Sequence, residues 1–125
     1  MEKIILYGLS KERSDLIKHM LEQEGFNNTK FLNKAAADYI TGYLHDIDGY
    51  DDTKHIPEKS APEIELMMIS GFDTDKINRL VASFKTNNIK RPITCSLTPT
   101  NIDWIFADLL NEVYEEHLFM SAQNK

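Results

Sequence analysis

Two stretches of the sequence have the same form, and this repetition constrains the fold more than any other feature. KIILYGLS, residues 3–10, and ELMMISGF, residues 65–72, are both mainly apolar runs that reach a glycine. Short apolar runs bounded by turn residues predict buried β-strands. A residue that can cap a helix comes two or three positions after each glycine, Ser10 in the first case and Asp73 or Thr74 in the second.

Each cap precedes an amphipathic helical pattern. The apolar positions at helical spacing are Leu16, Ile17, Met20 and Leu21 in the first pattern and Ile77, Leu80, Val81 and Phe84 in the second. We expect Gly25 to end the first helix and Asn87-Asn88 to end the second. A second strand candidate follows each helix, around Thr29–Leu32 and at PITCSL, where Pro92 is tolerated at the first strand position.

This order of elements predicts an α/β fold. Strands that alternate with helices favour a mostly parallel sheet covered on both faces. We therefore expect one small three-layer domain of about four mostly parallel strands from two β-α-β units, in the order 2-1-3-4. A long C-terminal helix, from about Ile102 to Leu118, completes the prediction. With 125 residues, the chain fits a single α/β domain over residues 1–125.

The region between the two units is the least regular part of the chain. Residues 34–46, KAAADYITGYLHD, predict a short helix in spite of Gly42. Residues 47–62 contain one glycine, two prolines and many charges, which indicates an exposed loop inside the domain.

The stretch SLTPTNIDW, residues 96–104, is the predicted joint between the last strand and the last helix. Pro99 disfavours helix at Thr98. Thr100 and Asp103 have the spacing of a capping box, so Thr100 is the predicted helix N-cap. The same stretch has a functional interpretation, because strand ends and free N–H groups at a helix start suit a small anion. Thr98, Thr100 and Asn101 are therefore the candidate ligand-binding residues, although the structural role is favoured.

The remaining chemical groups do not predict a catalytic, metal or cofactor site. HDIDGYDDTKH, residues 45–55, fails the calcium-loop pattern because glycine falls at the wrong position, and its two histidines are far apart for zinc. We expect a solvated acidic loop. The carboxylates of the last helix also predict a solvated face. Cys95, within a predicted strand, is expected to be an inert core thiol.

Charge and composition argue against several partners. The net charge is −6, from 20 acidic and 14 basic residues, whereas proteins that bind nucleic acid or anionic membranes usually cluster Lys and Arg. We expect neither of these partners. A single cysteine and the shortness of the N-terminal apolar run predict a cytoplasmic protein.

The joint and the elements around it resemble a known family. Leu97, Thr98, Pro99, Thr100 and Asn101, followed by Trp104 and a helix rich in Leu and Glu that ends near Glu116-His117, are similar to the bacterial family domain of unknown function 3783. Ser70-Gly71-Phe72 and the N-terminal KIILYGLS also resemble it. The resemblance implies no activity, cofactor or catalytic residue, because the family has no assigned function.

Two hypotheses of function follow. The favoured one is a non-catalytic cytoplasmic module that binds a protein or small-molecule partner, and the C-terminal helix is the predicted surface if a homodimer forms. The alternative is an enzyme or sensor that binds a small anionic ligand at residues 98–101.

Overall fold

The two repeated units form one mixed β-sheet. The structure, a computed structural model, describes residues 2–123. Its strands are β1 (Lys3–Tyr7), β2 (Thr29–Leu32), β3 (Leu66–Ser70) and β4 (Ile93–Ser96). Their order in the sheet is β2-β1-β3-β4, which agrees with the predicted order. β1 pairs parallel with β2 and β3 pairs parallel with β4, whereas β1 and β3 pair antiparallel. The sheet is thus mostly parallel, and the two units run in opposite directions.

Within residues 2–123, four α-helices and one 3-10 helix cover the sheet. The α-helices are α1 (Lys11–Gln23), α2 (Thr41–Leu44), α3 (Thr74–Thr86) and α4 (Phe106–Gln123). The 3-10 helix, Lys34–Asp38, precedes α2, so the single short helix predicted within residues 34–46 is divided in two. The interruption at Tyr39 and Ile40 has a tertiary cause: both residues are extended, and Ile40 forms an isolated antiparallel bridge with Ile105.

The side chains of the sheet divide between two cores, because successive residues of a strand point to opposite faces. The first core lies under α1 and α3, and its buried residues are Ile4, Leu6, Ile17, Met20, Leu21, Phe26, Met67, Ile69, Leu80 and Phe84. The second core lies under the 3-10 helix, α2 and α4, and its buried residues are Ile5, Tyr7, Ala36, Leu44, Leu66, Met68, Phe106, Leu109 and Leu110. The result is the predicted three-layer α/β domain.

The two units are also alike in their local hydrogen bonds. Ser10 and Asp73 are the N-caps of α1 and α3, and each side chain accepts from the N–H three residues later, at 3.1 and 2.8 Å. Both helices end before a residue with positive φ, Gly25 at 86° and Asn88 at 55°. These are the positions that the sequence repeat predicts, because local capping chemistry sets both ends.

The connection between the units returns to the carboxyl end of β1. Residues 45–65 contain neither helix nor strand, and most residues between 47 and 62 are exposed. The connection passes close to Gly8, where a Cβ atom would lie 1.9 Å from the carbonyl oxygen of Ile64. Gly8 also has a φ of 80°. A glycine is therefore required both by backbone conformation and by space.

The predicted bounds of the last helix are wrong. α4 begins at Phe106 instead of about Ile102, and it continues to Gln123 instead of ending at Leu118. Residues 99–103 form turns, and Trp104 precedes the helix. Backbone contacts with residues 39–42 delay the helix start.

Candidate functional site

The joint at residues 96–104 is held by hydrogen bonds among its own residues. The Thr98 hydroxyl accepts from the Asn101 N–H at 3.1 Å, and the Asn101 side-chain oxygen accepts from the Thr98 N–H at 2.9 Å. The Asn101 amide also donates to the Ser96 carbonyl at 3.0 Å. This reciprocal pair has the form of a capping box, but it lies two residues earlier than the predicted box of Thr100 and Asp103.

Thr100 is therefore not a helix N-cap. It is exposed, and its hydroxyl makes no hydrogen bond to any residue between 2 and 123. Asp103 instead accepts from the Tyr50 hydroxyl at 2.6 Å, and this bond raises the pKa of Tyr50. Of the three candidate ligand-binding residues, Thr98 and Asn101 thus contact each other and Thr100 points to no partner. Their role in binding a ligand stays a prediction. The reason to expect an anion was a helix start at these residues, and no helix starts there.

Long-range backbone bonds explain why α4 starts late. The Trp104 carbonyl accepts from both the N–H and the hydroxyl of Thr41, each at 2.9 Å. The Ile102 carbonyl accepts from the Gly42 N–H at 2.9 Å, and the Phe106 N–H donates to the Tyr39 carbonyl at 2.8 Å. Residues 102–106 therefore lie against residues 39–42 instead of forming the first turn of a helix.

The predicted solvated acidic loop begins with a buried residue. The His45 side chain is 3% exposed, so the prediction of a solvated loop is wrong at this position. Asp46 forms ion pairs with Lys3 and Lys30, which hold its pKa below the ordinary range. Residues 46–49 and 51–54 are exposed. No group of three or more His, Cys, Asp or Glu side chains in the described part of the chain is placed to hold a metal ion.

Cys95 lies on β4 beside the second core. Burial, with a smaller contribution from the charge of Glu116, raises the pKa of the Cys95 thiol to about 12. The thiol is therefore protonated at neutral pH and is a weak nucleophile, which agrees with the predicted inert role.

A groove lies along the outer side of α4. The loop at residues 58–60 borders it, because the Glu58 N–H donates to Asp108 at 3.3 Å and the Asn111 amide donates to the Ser60 carbonyl at 3.1 Å. The groove has a volume of about 490 Å³. Its charged lining consists of five carboxylates and one ammonium group, on Glu58, Asp103, Asp108, Glu112, Glu115 and Lys59. Trp104 and Ile105 form its apolar part.

The charge of this groove is only slightly neutralised. Lys59 contacts Glu115 at 3.4 Å, and both side chains are mostly exposed, so this ion pair is weak. α4 contains four acidic residues and no lysine or arginine. Glu112, Glu115 and Glu116 are exposed, as the sequence predicts, but the sequence gives no sign that a loop and Trp104 turn this face into a groove.

The end of α4 carries exposed apolar side chains. Leu118, Phe119 and Met120 are 50%, 63% and 58% exposed. Leu118 and Phe119 follow Glu115 by three and four residues, so they continue the face of the helix that lines the groove. Groove and apolar end together form one surface along α4, which we call the α4 surface.

No helix in the part of the chain that the structure describes is long and apolar enough to span a membrane. No curated protein and no solved structure matches the chain.

One family model does match. It includes β3, α3, β4 and the joint with Trp104, and most of α4, whereas β1 and KIILYGLS lie outside the match, so their likeness to the family stays a prediction. Residues 65–120 match the family described as Domain of unknown function (DUF3783), which confirms for this segment the resemblance predicted from the sequence.

Proposed function

We propose that this protein is a non-catalytic interaction module that binds a basic, partly apolar segment of another protein along the α4 surface. The observation that carries the proposal is the groove beside Trp104, where five carboxylates accompany one lysine. The exposed Leu118 and Phe119 continue the same face. Exposed apolar side chains that adjoin a charged groove are typical of protein-binding surfaces.

The charges of the α4 surface favour a particular partner chemistry. Lysine and arginine side chains of a partner would be attracted by the carboxylates of the groove. An arginine could also stack on the partly buried Trp104 ring. Apolar residues one or two turns further along a partner helix would then meet Leu118 and Phe119. We therefore propose a basic amphipathic segment as the partner.

Self-association through α4 fits this surface less well. Two α4 helices in contact would bring together eight carboxylates, four from each copy, with no lysine or arginine on either helix. Like charges that face each other across an interface oppose binding. A second copy of this chain, bound through the C-terminal helix, is thus the less favoured occupant of this surface.

A non-catalytic role is supported by the surroundings of the titratable groups. The groups with the largest pKa changes are His45 and Cys95, and burial makes both of them neutral. Cys95 packs beside the second core and His45 lies beside Ser70, and neither residue lines the groove. These two groups therefore supply no acid or base to the groove.

The test uses Trp104, the only tryptophan of the chain, as a reporter of the groove. A synthetic helix of Leu and Lys in amphipathic order is titrated into the protein while Trp104 fluorescence is recorded. We expect saturable binding that weakens with salt and weakens about tenfold or more when both Leu118 and Phe119 are replaced by Ser. Replacement of Glu112 and Glu115 by Gln should reduce the salt dependence.

Ile56→Ser provides the matched control, because Ile56 is an apolar side chain that is 94% exposed on the loop. It should leave both binding and its salt dependence unchanged. Equal binding of the peptide by the wild type, the α4 variants and the control would contradict the proposal. Sedimentation that shows a dimer, abolished by the Leu118 and Phe119 replacements, would assign the surface to a second copy instead.

The second hypothesis from the sequence, a small anionic ligand at residues 98–101, gains less support. Thr98 and Asn101 already satisfy each other, and no helix begins at Thr100. We retain a cytoplasmic location as part of the proposal, because a chain with a single cysteine forms no internal disulfide, as is usual in a reducing compartment. Fractionation of the native cell would test it.

A further inference from the structure

The two edges of the sheet differ in how completely their backbone groups are covered. β2 and β4 are the edge strands, and within the described residues each of them pairs with a strand on one side only. In a parallel strand, one residue directs its N–H and C=O groups towards its neighbour, and the next residue directs them to the other side. An edge strand therefore carries a row of outward backbone groups that are ready to pair with another chain.

The outer edge of β4 is largely covered by nearby side chains. The Ile93 N–H donates into the sheet at 3.1 Å, so Pro92, Thr94 and Ser96 are the residues that face outward. Pro92 has no N–H, and its carbonyl accepts from the Thr94 hydroxyl at 3.0 Å. The Ser96 carbonyl accepts from the Asn101 amide at 3.0 Å. Proline and local contacts of this kind protect an edge from pairing.

The outer edge of β2 is open instead. The Ile4 N–H donates to the Asn28 carbonyl at 3.0 Å, which makes Lys30 the next inward residue and Thr29 and Phe31 the outward ones. The outward N–H and C=O groups of Thr29 and Phe31 make no hydrogen bond to any residue between 2 and 123. Every residue of the strand is partly exposed, so these donors and acceptors can pair with an added strand.

A hollow beside β2 provides a place for a side chain of such a strand. It has a volume of about 220 Å³ and lies on the face of the sheet that carries the second core. Lys30 and Leu32 line it, together with the rings of Tyr39 and Tyr43, whose centroids are 5.3 Å apart. Alternate side chains of an added strand would point to this face. One of them would enter the hollow, as in other cases of peptide addition to a sheet edge.

The charge beside this edge is positive. Lys3 and Lys30 both form ion pairs with a single carboxylate, that of Asp46, which leaves one positive charge in excess. Lys30 is also the only charged side chain among the described residues that line the hollow. An acidic side chain opposite Lys30 would form a favourable cross-strand pair. A second copy of this chain fits less well, because it would bring two positive edges together.

We propose that the open edge of β2 binds an extended, acidic segment of a partner protein as an added strand, with one apolar side chain in the hollow between Tyr39 and Tyr43. The backbone groups of Thr29 and Phe31 supply the main-chain bonds. Lys30 selects an acidic residue two positions from the apolar one, because residues two apart lie on the same face of a strand. This edge shares no residue with the α4 surface, so the inference does not rest on the proposed function.

The experiment uses the synthetic peptide Ser-Glu-Thr-Phe-Thr-Val-Thr-Ser, in which Glu and Phe lie on one face of an extended chain. It is titrated into isotopically labelled protein, and amide signals and their hydrogen exchange are followed by NMR. We expect saturable shifts and slower exchange at the Thr29 and Phe31 amides, because the added strand accepts from both. A peptide with Lys in place of Glu should bind severalfold more weakly.

Two further peptides test for main-chain bonds, each N-methylated at every second amide, one in each phase. One of them should lose binding and the other should keep it, because only alternate amides of an added strand face β2. This comparison uses the wild-type protein and is independent of how any variant folds. Equal binding of the two N-methylated peptides would overturn the proposal.

The protein variants test the same site from the other side. Thr29→Pro removes an outward N–H at the first strand position, where proline is tolerated, and should weaken binding about tenfold without lowering the unfolding midpoint. Lys30→Gln should weaken binding of the Glu peptide severalfold and leave binding of a Gln-containing peptide unchanged. Lys54→Gln is the matched control, because Lys54 is an exposed lysine on the loop outside the hollow, and it should bind as the wild type does.

Three results would contradict the proposal. Slower exchange at Thr94 with no change at Thr29 would place the peptide on β4. Unchanged binding in a folded Thr29→Pro variant would show that the edge of β2 is not used. Slow exchange at Thr29 and Phe31 without peptide, together with a dimer in sedimentation, would assign the edge to a second copy. None of these results depends on whether α4 binds a protein partner.

Discussion

His45 is the buried residue whose hydrogen bonding is least complete. Its Nδ1 atom lies 3.3 Å from the Ser70 hydroxyl oxygen, and its Nε2 atom has no partner among the described residues. The charged groups that act on it are Lys3, Lys30 and Asp46. Burial, followed by the charges of the two lysines, lowers the pKa of His45 to about 4. The folded protein therefore keeps this imidazole neutral.

This shift predicts a loss of stability in mild acid. In the unfolded chain His45 takes up a proton near its ordinary pKa of 6.5, whereas in the folded protein its imidazole takes up a proton only at about pH 4. The free energy of unfolding should thus fall as the pH falls from about 6.5 to 4, by at most about 3 kcal/mol. Urea unfolding of the wild type and of His45→Gln at several pH values measures the difference.

His19→Gln serves as the control for this experiment, because His19 is exposed on α1. Its profile should follow that of the wild type. Asp46, whose lowered pKa also costs stability as the pH approaches its ordinary value of 3.8, is present in both proteins, so its contribution cancels in the comparison. Parallel profiles for the wild type and His45→Gln would show that His45 carries no such linkage.

Thr98 and Thr100 allow a second prediction for single residues. Because the Thr98 hydroxyl accepts from the Asn101 N–H, Thr98→Ala should lower the free energy of unfolding by about 0.5–2 kcal/mol. Thr98→Ser should restore most of it. Thr100→Ala should change stability by less than about 0.5 kcal/mol. If thermal unfolding shows instead that Thr100→Ala lowers stability more than Thr98→Ala does, Thr100 is the capping residue, as the sequence predicts.

At the level of elements, the turn after β1 depends on a close backbone approach. Gly8 and Gly49 both have positive φ, at 80° and 95°, but only Gly8 faces backbone atoms within 4 Å. Gly49→Ala should cost about 1–2 kcal/mol for its conformation alone. Gly8→Ala should cost at least about 2 kcal/mol more, because the new methyl group would overlap the Ile64 carbonyl.

Chemical denaturation of the two alanine variants tests this difference. Ile64 adjoins β3, so displacement of its carbonyl would disturb the sheet and not merely a loop. If the two variants lose similar amounts of free energy of unfolding, the connection at residues 45–65 moves aside freely and does not fix β3 beside β1.

At the level of the whole molecule, the two cores share β1 and β3. Met67 and Ile69 face the first core, whereas Leu66 and Met68 face the second. Loss of packing on either face should therefore destabilise the sheet as one unit. Phe84→Ala in the first core should lower the free energy of unfolding by about 3–5 kcal/mol, and Phe106→Ala in the second core by a similar amount.

Trp104 makes this cooperativity measurable, because it packs against the second core. Phe84→Ala should shift the unfolding midpoint seen by Trp104 fluorescence as far as the midpoint seen by far-ultraviolet circular dichroism. If fluorescence keeps its wild-type midpoint while circular dichroism shifts, the two faces unfold separately and the cores are independent.

Much of the fold could be predicted from the sequence because it depends on short-range chemistry. The alternation of apolar runs, caps and helical stripes predicts the four strands, α1 and α3. Ser10 and Asp73 cap their helices because each side chain reaches an N–H only three residues away. Such contacts are present in any compact arrangement of the chain, so a local pattern is sufficient to predict them.

The candidate sites could not be predicted in the same way, because they depend on contacts between distant residues. The start of α4 is delayed by bonds from residues 102–106 to residues 39–42, which no local capping pattern reveals. The groove forms only because the loop at residues 58–60 lies against α4. Burial of His45 likewise follows from its place beside Ser70. The sequence alone thus determined the four strands, α1, α3 and the N-caps of these two helices, whereas the tertiary structure decided which polar groups are left without partners, because desolvation and pairing depend on neighbours that packing brings together.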